Sequence, residues 1–220
     1  MPRGRAPGYD SQREQILDRA AELFARQGYS ATSMNQVAEA CGVSKPSLYH
    51  YVRDKDRLLV EIADAHVARL NALVAQVVEQ GLAPEPRLRR LIEVFVDVYA
   101  DSQAAHRVLT EDVKFLQDAD RERVIQGQRR VVGAFADAVA AVRPELRRDD
   151  LLKPVTMLLF GMMNWMFTWL QPDGRLTHAQ MAPVVADLFF GGLQAVRTHD
   201  APAPRTARMR DSPEAKSRAA

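Results

Sequence analysis

The chain carries one cysteine, Cys41, among 220 residues. A single thiol excludes an intrachain disulfide framework and a four-cysteine zinc site. It fits a reducing compartment. Neither sign of charge is in excess: 30 Lys and Arg stand against 28 Asp and Glu, a formal +2. That balance excludes a uniformly basic, chromatin-type protein, although it leaves room for a local basic patch. Strand-like alternation of apolar and polar residues is almost absent. Residues 1–10 contain no apolar run of the kind a secretory signal needs, so the expected location is cytoplasmic. There is no His-Glu-x-x-His, no glycine-rich phosphate loop and no nucleophile elbow. His106, Glu111 and Asp112 are neighbours in sequence, but His106 and Glu111 are five apart and do not share a helix face. Catalysis, a metal and a cofactor are therefore not expected.

One long uncharged run exists. Pro154 to Pro172 has no charged residue over 19 positions. A membrane-spanning helix needs about 20 predominantly apolar residues. Thr156, Asn164, Thr168 and Gln171 interrupt this run, and proline bounds it on both sides. A helix buried within protein or at a subunit interface is the better reading, with no membrane. Residues 199–220 lack Leu, Ile, Val, Phe, Trp and Tyr. Such a segment buries too little apolar surface to offset its ordering entropy, and a disordered tail is expected.

Helical spacing dominates what remains. Ser11 and Glu14 have capping-box spacing, followed by an apolar face of Ile16, Leu17, Ala20, Leu23 and Phe24. Gly28 falls where a left-handed cap belongs. Ser33 and Gln36 repeat the capping spacing ahead of a short helix. Cys41-Gly42-Val43 forms a tight break. Ser44 is a good N-cap for a third helix, with Pro46 in its first turn. Asp54 then caps a long helix from Lys55 to Gln80. Further helices are expected at Pro86–Ala100, Gln103–Leu116, Arg121–Val142, Asp149–Leu170 and His178–Thr198, the last with a Thr177/Gln180 capping box. The fold class is all-α, with about nine helices.

Residues 33–52 have the layout of a helix-turn-helix, whose second helix enters the major groove. Leu48 and Val52 are spaced to pack inward. Lys45 and Ser47 lie on the first turn, within reach of a base or phosphate. Tyr49, His50 and Tyr51 carry donors for phosphate oxygens. Lys55 opens the following helix, where its charge and the helix N-terminus favour phosphate. Spacing alone leaves a helical adaptor without DNA binding open, and tyrosines on a short helix commonly serve as packing. Cys41, at the corner, is expected to be a small packing residue.

The run from Ala31 to Leu59, Ala-Thr-Ser-Met-Asn-Gln-Val-Ala-Glu-Ala-Cys-Gly-Val-Ser-Lys-Pro-Ser-Leu-Tyr-His-Tyr-Val-Arg-Asp-Lys-Asp-Arg-Leu-Leu, resembles the DNA-binding domain of the tetracycline-repressor (TetR) family. So does the preceding Ile-Leu-Asp-Arg-Ala-Ala-Glu-Leu-Phe-Ala-Arg-Gln-Gly-Tyr. The resemblance covers residues 11–60. It implies an N-terminal three-helix domain joined to a larger helical domain that binds a small ligand and dimerises. It implies a transcriptional regulator, usually a repressor released from a palindromic operator on double-stranded DNA by its effector. Carried over, it places Thr32 and Ser33 on phosphate and Asn35 within reach of a base. Lys45 and Ser47 take base-facing positions, Tyr49, His50 and Lys55 take phosphate-contacting ones, and Tyr51 either contacts phosphate or packs against the first helix. Arg3 and Arg5 precede the first helix, where a basic arm can enter a narrow minor groove or remain a solvated terminus. The expected division is an arm over 1–10, a DNA-binding domain over 11–56, a ligand-binding and dimerisation domain over 57–198, and the tail.

In the resemblance the last two helices build the homodimer. Val184, Leu188, Phe189, Gly192, Leu193 and Val196 supply an apolar stripe for that role. The stretch Gly161–Leu193 resembles TetR-like regulators of fatty-acid and other acyl-CoA catabolism, which implies an acyl-CoA or related lipophilic effector. Met163, Asn164, Trp165, Phe167, Thr168 and Phe115 are the candidate ligand contacts; plain core or interface packing competes for the Met and aromatic residues, and Asn164 and Thr168, four apart, could instead bond each other or a backbone carbonyl. Arg107, Lys114 and Arg175 are candidate phosphate partners.

Overall fold

The computed structural model describes residues 9–170 and 174–197. Within them the chain forms nine α-helices and no strand, as the helical spacing predicts. α1 is Tyr9–Gln27, α2 Met34–Ala40, α3 Lys45–Tyr51 and α4 Lys55–Glu79. They are followed by α5 (Pro84–Asp101), α6 (Gln103–Glu111), α7 (Asp118–Val142), α8 (Leu152–Asn164) and α9 (His178–Ala195). Short 3-10 turns occupy Val113–Phe115, Pro144–Arg147 and Met166–Thr168. Arg3, Arg5 and residues 199–220 lie outside the described residues.

The helix starts have local causes. The Ser33 hydroxyl accepts from the Gln36 amide at 3.4 Å, while Gln36 Oε1 accepts from the Ser33 amide at 2.9 Å. Ser44 Oγ accepts from the Ser47 amide at 3.2 Å, and the Asp54 carboxylate accepts from the Arg57 amide at 2.7 Å. Thr177 and Gln180 close the same reciprocal box at α9. Each cap satisfies a donor that the first helical turn leaves unpaired. Gly28 (φ +88°) and Gly42 (φ +64°) end α1 and α2 in the left-handed region, which only glycine enters without a Cβ penalty.

Three expectations are corrected. Ser11 lies inside α1 and caps nothing, because the helix already begins by Tyr9. The Tyr9 ring stacks on Tyr51 with centroids 4.9 Å apart, a tertiary contact that local spacing does not reveal. The helix expected over Gln103–Leu116 ends at Glu111, and a 3-10 turn carries the chain on to Phe115. The helix expected over Asp149–Leu170 is only Leu152–Asn164. Asp150 (φ +55°) precedes its start, and the chain after Asn164 tightens into a 3-10 turn. That turn buries Met166 and Leu170 while leaving Trp165 and Trp169 exposed. No helix of the described residues is long and apolar enough to cross a membrane.

One hydrophobic core runs through the molecule. Ile16, Ala20 and Phe24 of α1 meet Val37, Leu48 and Val52 in the three-helix unit. α4 closes that unit with Leu58 and Leu59, then continues inward with Ile62, Val67 and Leu70. α1 packs on both α4 and α6. Arg13 of α1 reaches Glu61 of α4 at 2.6 Å and ties the two helices, while Arg57 pairs with Glu61 within α4 at 2.9 Å. Deeper, Phe95 and Phe135 pack edge to face at 4.7 Å, and Phe135 continues to Phe160 at 4.9 Å. α9 lies along α5, and its C-terminal carbonyls at Leu193 and Val196 accept from the Arg143 guanidinium.

α7 packs tightly against α4 at Gly127. A Cβ there would collide with Val67 Cγ1. Gly127→Ala is expected to destabilise the fold: overpacking costs about 1–3 kcal/mol, against about 1 kcal/mol gained in helix propensity. Urea denaturation checks this, and a variant more stable than the parent would show that α4 has room to move.

Candidate functional site

The helix-turn-helix presents a definite reading face. Ser33 and Asn35 on the α2 side and Lys45, Tyr49 and His50 on α3 are exposed, and Ser47 is half-buried. Leu48 is fully buried beneath them, which orients the short helix. Tyr49 is 44% exposed, with its hydroxyl available to a phosphate or base.

Two of the expected contacts, Thr32 and Lys55, are placed differently, and Tyr51 takes the packing role against α1. Thr32 is only 2% exposed. Its hydroxyl donates to the Gly28 carbonyl at 2.9 Å and accepts from Gln27 at 3.1 Å, and its amide is bonded to the Tyr29 carbonyl. It is therefore a structural residue of the α1–α2 turn. Tyr51 is half-buried on Tyr9, whose hydroxyl donates to the His50 carbonyl at 3.4 Å. Lys55 turns back into the protein. Its ammonium donates to the carbonyls of Tyr29 at 2.9 Å and Ser30 at 3.4 Å, and lies 4.3 Å over the Tyr29 ring. Cys41 is half-buried, and burial raises its thiol pKa, consistent with packing.

Tyr29 is a junction that local spacing does not announce. Its hydroxyl donates to Asp56, and its ring meets Phe24 edge-on at 5.2 Å. Phe115, from the turn after α6, stacks on it at 5.3 Å. Phe115 therefore ties the C-terminal helices to the DNA-reading unit.

An apolar cavity of about 240 Å³ opens among α4 to α8. Leu70, Leu109, Val131, Val132, Met157 and Phe160 supply its apolar wall. Tyr99, His106, Thr110, Gln128 and Asn164 supply its polar atoms. Of the expected ligand contacts, Asn164 alone is in this lining. Met163 is packed in the core at 1% exposure, because its position on α8 faces inward. Trp165 is 66% exposed on the outer surface. Thr168 donates to the Trp165 carbonyl at 2.7 Å and is exposed, because α8 ends before reaching it. Phe167 lies beside Trp165, with Arg107 5.9 Å from its centroid. Arg107 is paired with Glu111 at 3.1 Å, Lys114 lies over Phe115, and Arg175 is exposed.

Local spacing sets His106 only against Glu111 and Asp112 and passes over His66, its partner in the fold. His66 Nε2 and His106 Nδ1 lie 3.3 Å apart, both rings are buried, and Tyr99 stacks on His106 at 3.7 Å. The available signal was that Ile62, His66 and Leu70 repeat every four residues, so His66 occupies a core position of α4. Burial pushes the His66 pKa down to about 4, with a smaller contribution from Arg69. Burial, then His66, pushes His106 down to about 3.

Comparison with known proteins follows this geometry. Residues 16–62 match the model for bacterial regulatory proteins of the tetR family. Residues 81–193 match the tetracyclin repressor-like C-terminal domain. The chain belongs to the TetR family. A TetR-family transcriptional regulator from Bordetella parapertussis 12822 shares 34% identity, with 85% of this chain and 98% of that one covered and a TM-score of 0.79. The transcriptional repressor KstR2 of Rhodococcus jostii is 29% identical over 84% of this chain and 93% of its own. AibR, solved in complex with isovaleryl coenzyme A and operator DNA, is 26% identical, with 80% and 97% covered and a TM-score of 0.71. The protein is thus a DNA-binding transcriptional regulator with the TetR two-part helical fold.

The histidine pair sets a pH dependence. Both folded pKa values lie below the ordinary value of about 6.5. As pH falls below about 6.5, the unfolded chain takes up protons that the folded state refuses, so stability present at neutral pH is lost toward pH 4. The melting temperature is expected to drop over this window. The drop should be shallower in a His66→Leu/His106→Leu variant, and equal slopes would mean the pair titrates normally in the fold.

Proposed function

We propose that this regulator is a homodimeric, cytoplasmic repressor that binds a palindromic operator and leaves it when a small lipophilic effector, an acyl-CoA or related acyl compound, fills the cavity. It acts through binding rather than catalysis. Residues 11–56 serve as the DNA-reading unit and 57–198 as the effector-binding and dimerising unit. Lys45, Ser47 and Asn35 face bases; Ser33, Tyr49 and His50 hold phosphates; Arg3 and Arg5 serve as a minor-groove arm. The observation that carries this reading is the arrangement around α4. This one helix caps the reading unit at Leu58 and supplies Leu70 to the cavity wall. A ligand that prefers one setting of α4 shifts the population of reading-unit positions. AibR's complex with isovaleryl coenzyme A and operator DNA supports the effector class.

The outer face of α8 and α9 supports the dimer. Leu158 and Leu188 are 68% and 66% exposed, and Val184 is 43% exposed. Gly191 and Gly192 beside them are exposed and permit close approach. Phe189 and Leu193, expected on the same stripe, are instead buried within the subunit. A second copy covering this face places two reading units on successive half-sites.

An electrophoretic shift assay on DNA upstream of the protein's own gene tests the reading; absence of any salt-sensitive palindromic site there would end it. Lys45→Ala is expected to weaken operator binding and to relax sequence discrimination, as loss of a base contact does. A weakening uniform across sequences, with the slope of log affinity against log salt reduced by about one, would assign Lys45 to a phosphate instead. Leu188→Glu is expected to yield monomers by sedimentation and to abolish the shift at concentrations where the parent binds. A dimeric Leu188→Glu protein would move the interface elsewhere.

A further inference from the structure

The cavity has no charged side chain in its wall. Two of its polar atoms are buried and have no partner within the protein, His106 Nε2 and Asn164 Oδ1. The His106 residue is 3% exposed, so no solvent route satisfies it. Thr110 does not serve either atom, because its hydroxyl donates to the His106 and Arg107 carbonyls at 3.1 and 3.0 Å. Buried polar atoms without partners are rare in folded proteins and call for an explanation. Here both line one mainly apolar cavity, whose other polar side chains are Tyr99, Thr110 and Gln128.

We propose that the cavity takes an uncharged acyl derivative and rejects the free fatty acid. The ligand's carbonyl oxygen accepts from His106 Nε2–H, and an N–H or O–H of the ligand donates to Asn164 Oδ1. This inference rests on the cavity being the effector site. In this arrangement the proton between His66 Nε2 and His106 Nδ1, 3.3 Å apart, resides on His66, and the neutral His106 carries its own proton on Nε2. The ring stays neutral in this environment, since burial lowers its pKa to about 3. A carboxylate entering the cavity would be a buried charge with neither a cation nor a charged imidazole to meet it, which is strongly unfavourable. An amide carries the same acyl chain without that charge and brings an N–H for Asn164; an ester or thioester is equally uncharged but must bring its donor from elsewhere on the carrier group. The volume also restricts the ligand. About 240 Å³ lies below the roughly 300–1,000 Å³ of sites that enclose drug-sized molecules. The acyl chain and its carbonyl fit inside, and any large carrier group remains outside.

Octanamide and octanoate are the probes, since they match in shape and differ in charge and in the donor. Calorimetric titration of the full-length protein at pH 7.5 is expected to show octanamide binding at least about tenfold tighter, the scale of a hydrogen bond or more. Asn164→Leu and His106→Leu are each expected to weaken octanamide about tenfold. The Asn164 variant carries the test if His106→Leu fails to fold. Equal or tighter binding of octanoate, no binding of octanamide, or unchanged octanamide affinity in Asn164→Leu would each overturn the proposal. None of these readouts involves DNA. Operator binding by the ligand-free protein, measured separately, decides the regulator reading on its own.

Discussion

A single unbroken helix, α4, belongs to both halves of the molecule, and most of what the protein does depends on that continuity. Its first turn is capped by Asp54 and closes the three-helix unit with Leu58 and Leu59. Its middle carries His66 into contact with His106 and Leu70 into the cavity wall. Side chains at both ends are buried, so neither unit can shift along the helix without opening packed surface. Gly127 sharpens the constraint, because α7 lies so close to Val67 that the position admits no side chain.

Around this helix the aromatic and ionic contacts divide the labour. Tyr29 gathers Phe24, Lys55, Asp56 and Phe115 into one cluster that joins the α1–α2 turn, the start of α4 and the end of α6. α6 also carries His106 and Leu109 at the cavity. The cavity and the reading unit are therefore connected by two routes, along α4 and through Phe115 onto Tyr29. The reading face keeps Lys45, Tyr49 and His50 outward because Leu48 between them is anchored in the core. With 9 basic against 7 acidic residues in positions 1–60, DNA recognition rests on such placed groups more than on bulk charge.

Much of this was legible from local rules. The capping residues Ser33, Ser44, Asp54 and Thr177 begin helices where their side chains can accept amide protons, and those interactions span only three residues. Gly28 and Gly42 end helices for an equally local reason. The inward placement of Leu48 and Val52 followed from their spacing. Thr32, Tyr51 and Lys55 did not follow, since a hydroxyl, a ring or an ammonium can face either solvent or a neighbour. Which one it faces depends on Gly28, Tyr9 and the Tyr29 carbonyl, and two of these partners belong to other elements. The ligand contacts fared worse. A helix expected to run to Leu170 stops at Asn164, so every face assigned beyond that point rotated away from the cavity.

The sequence by itself determined an all-helical chain, the positions of most helix starts, the helix-turn-helix and the family. Those properties arise from caps, glycine conformations and apolar periodicity, which act within a few residues or along one helix face. Tertiary structure alone decided which polar groups remain free for DNA, that Phe115 belongs to the interdomain contact, and that His66 and His106 meet across a sequence distance of 40 residues. These depend on the packing of helices distant in sequence, where the burial of one side chain is set by the shape of another.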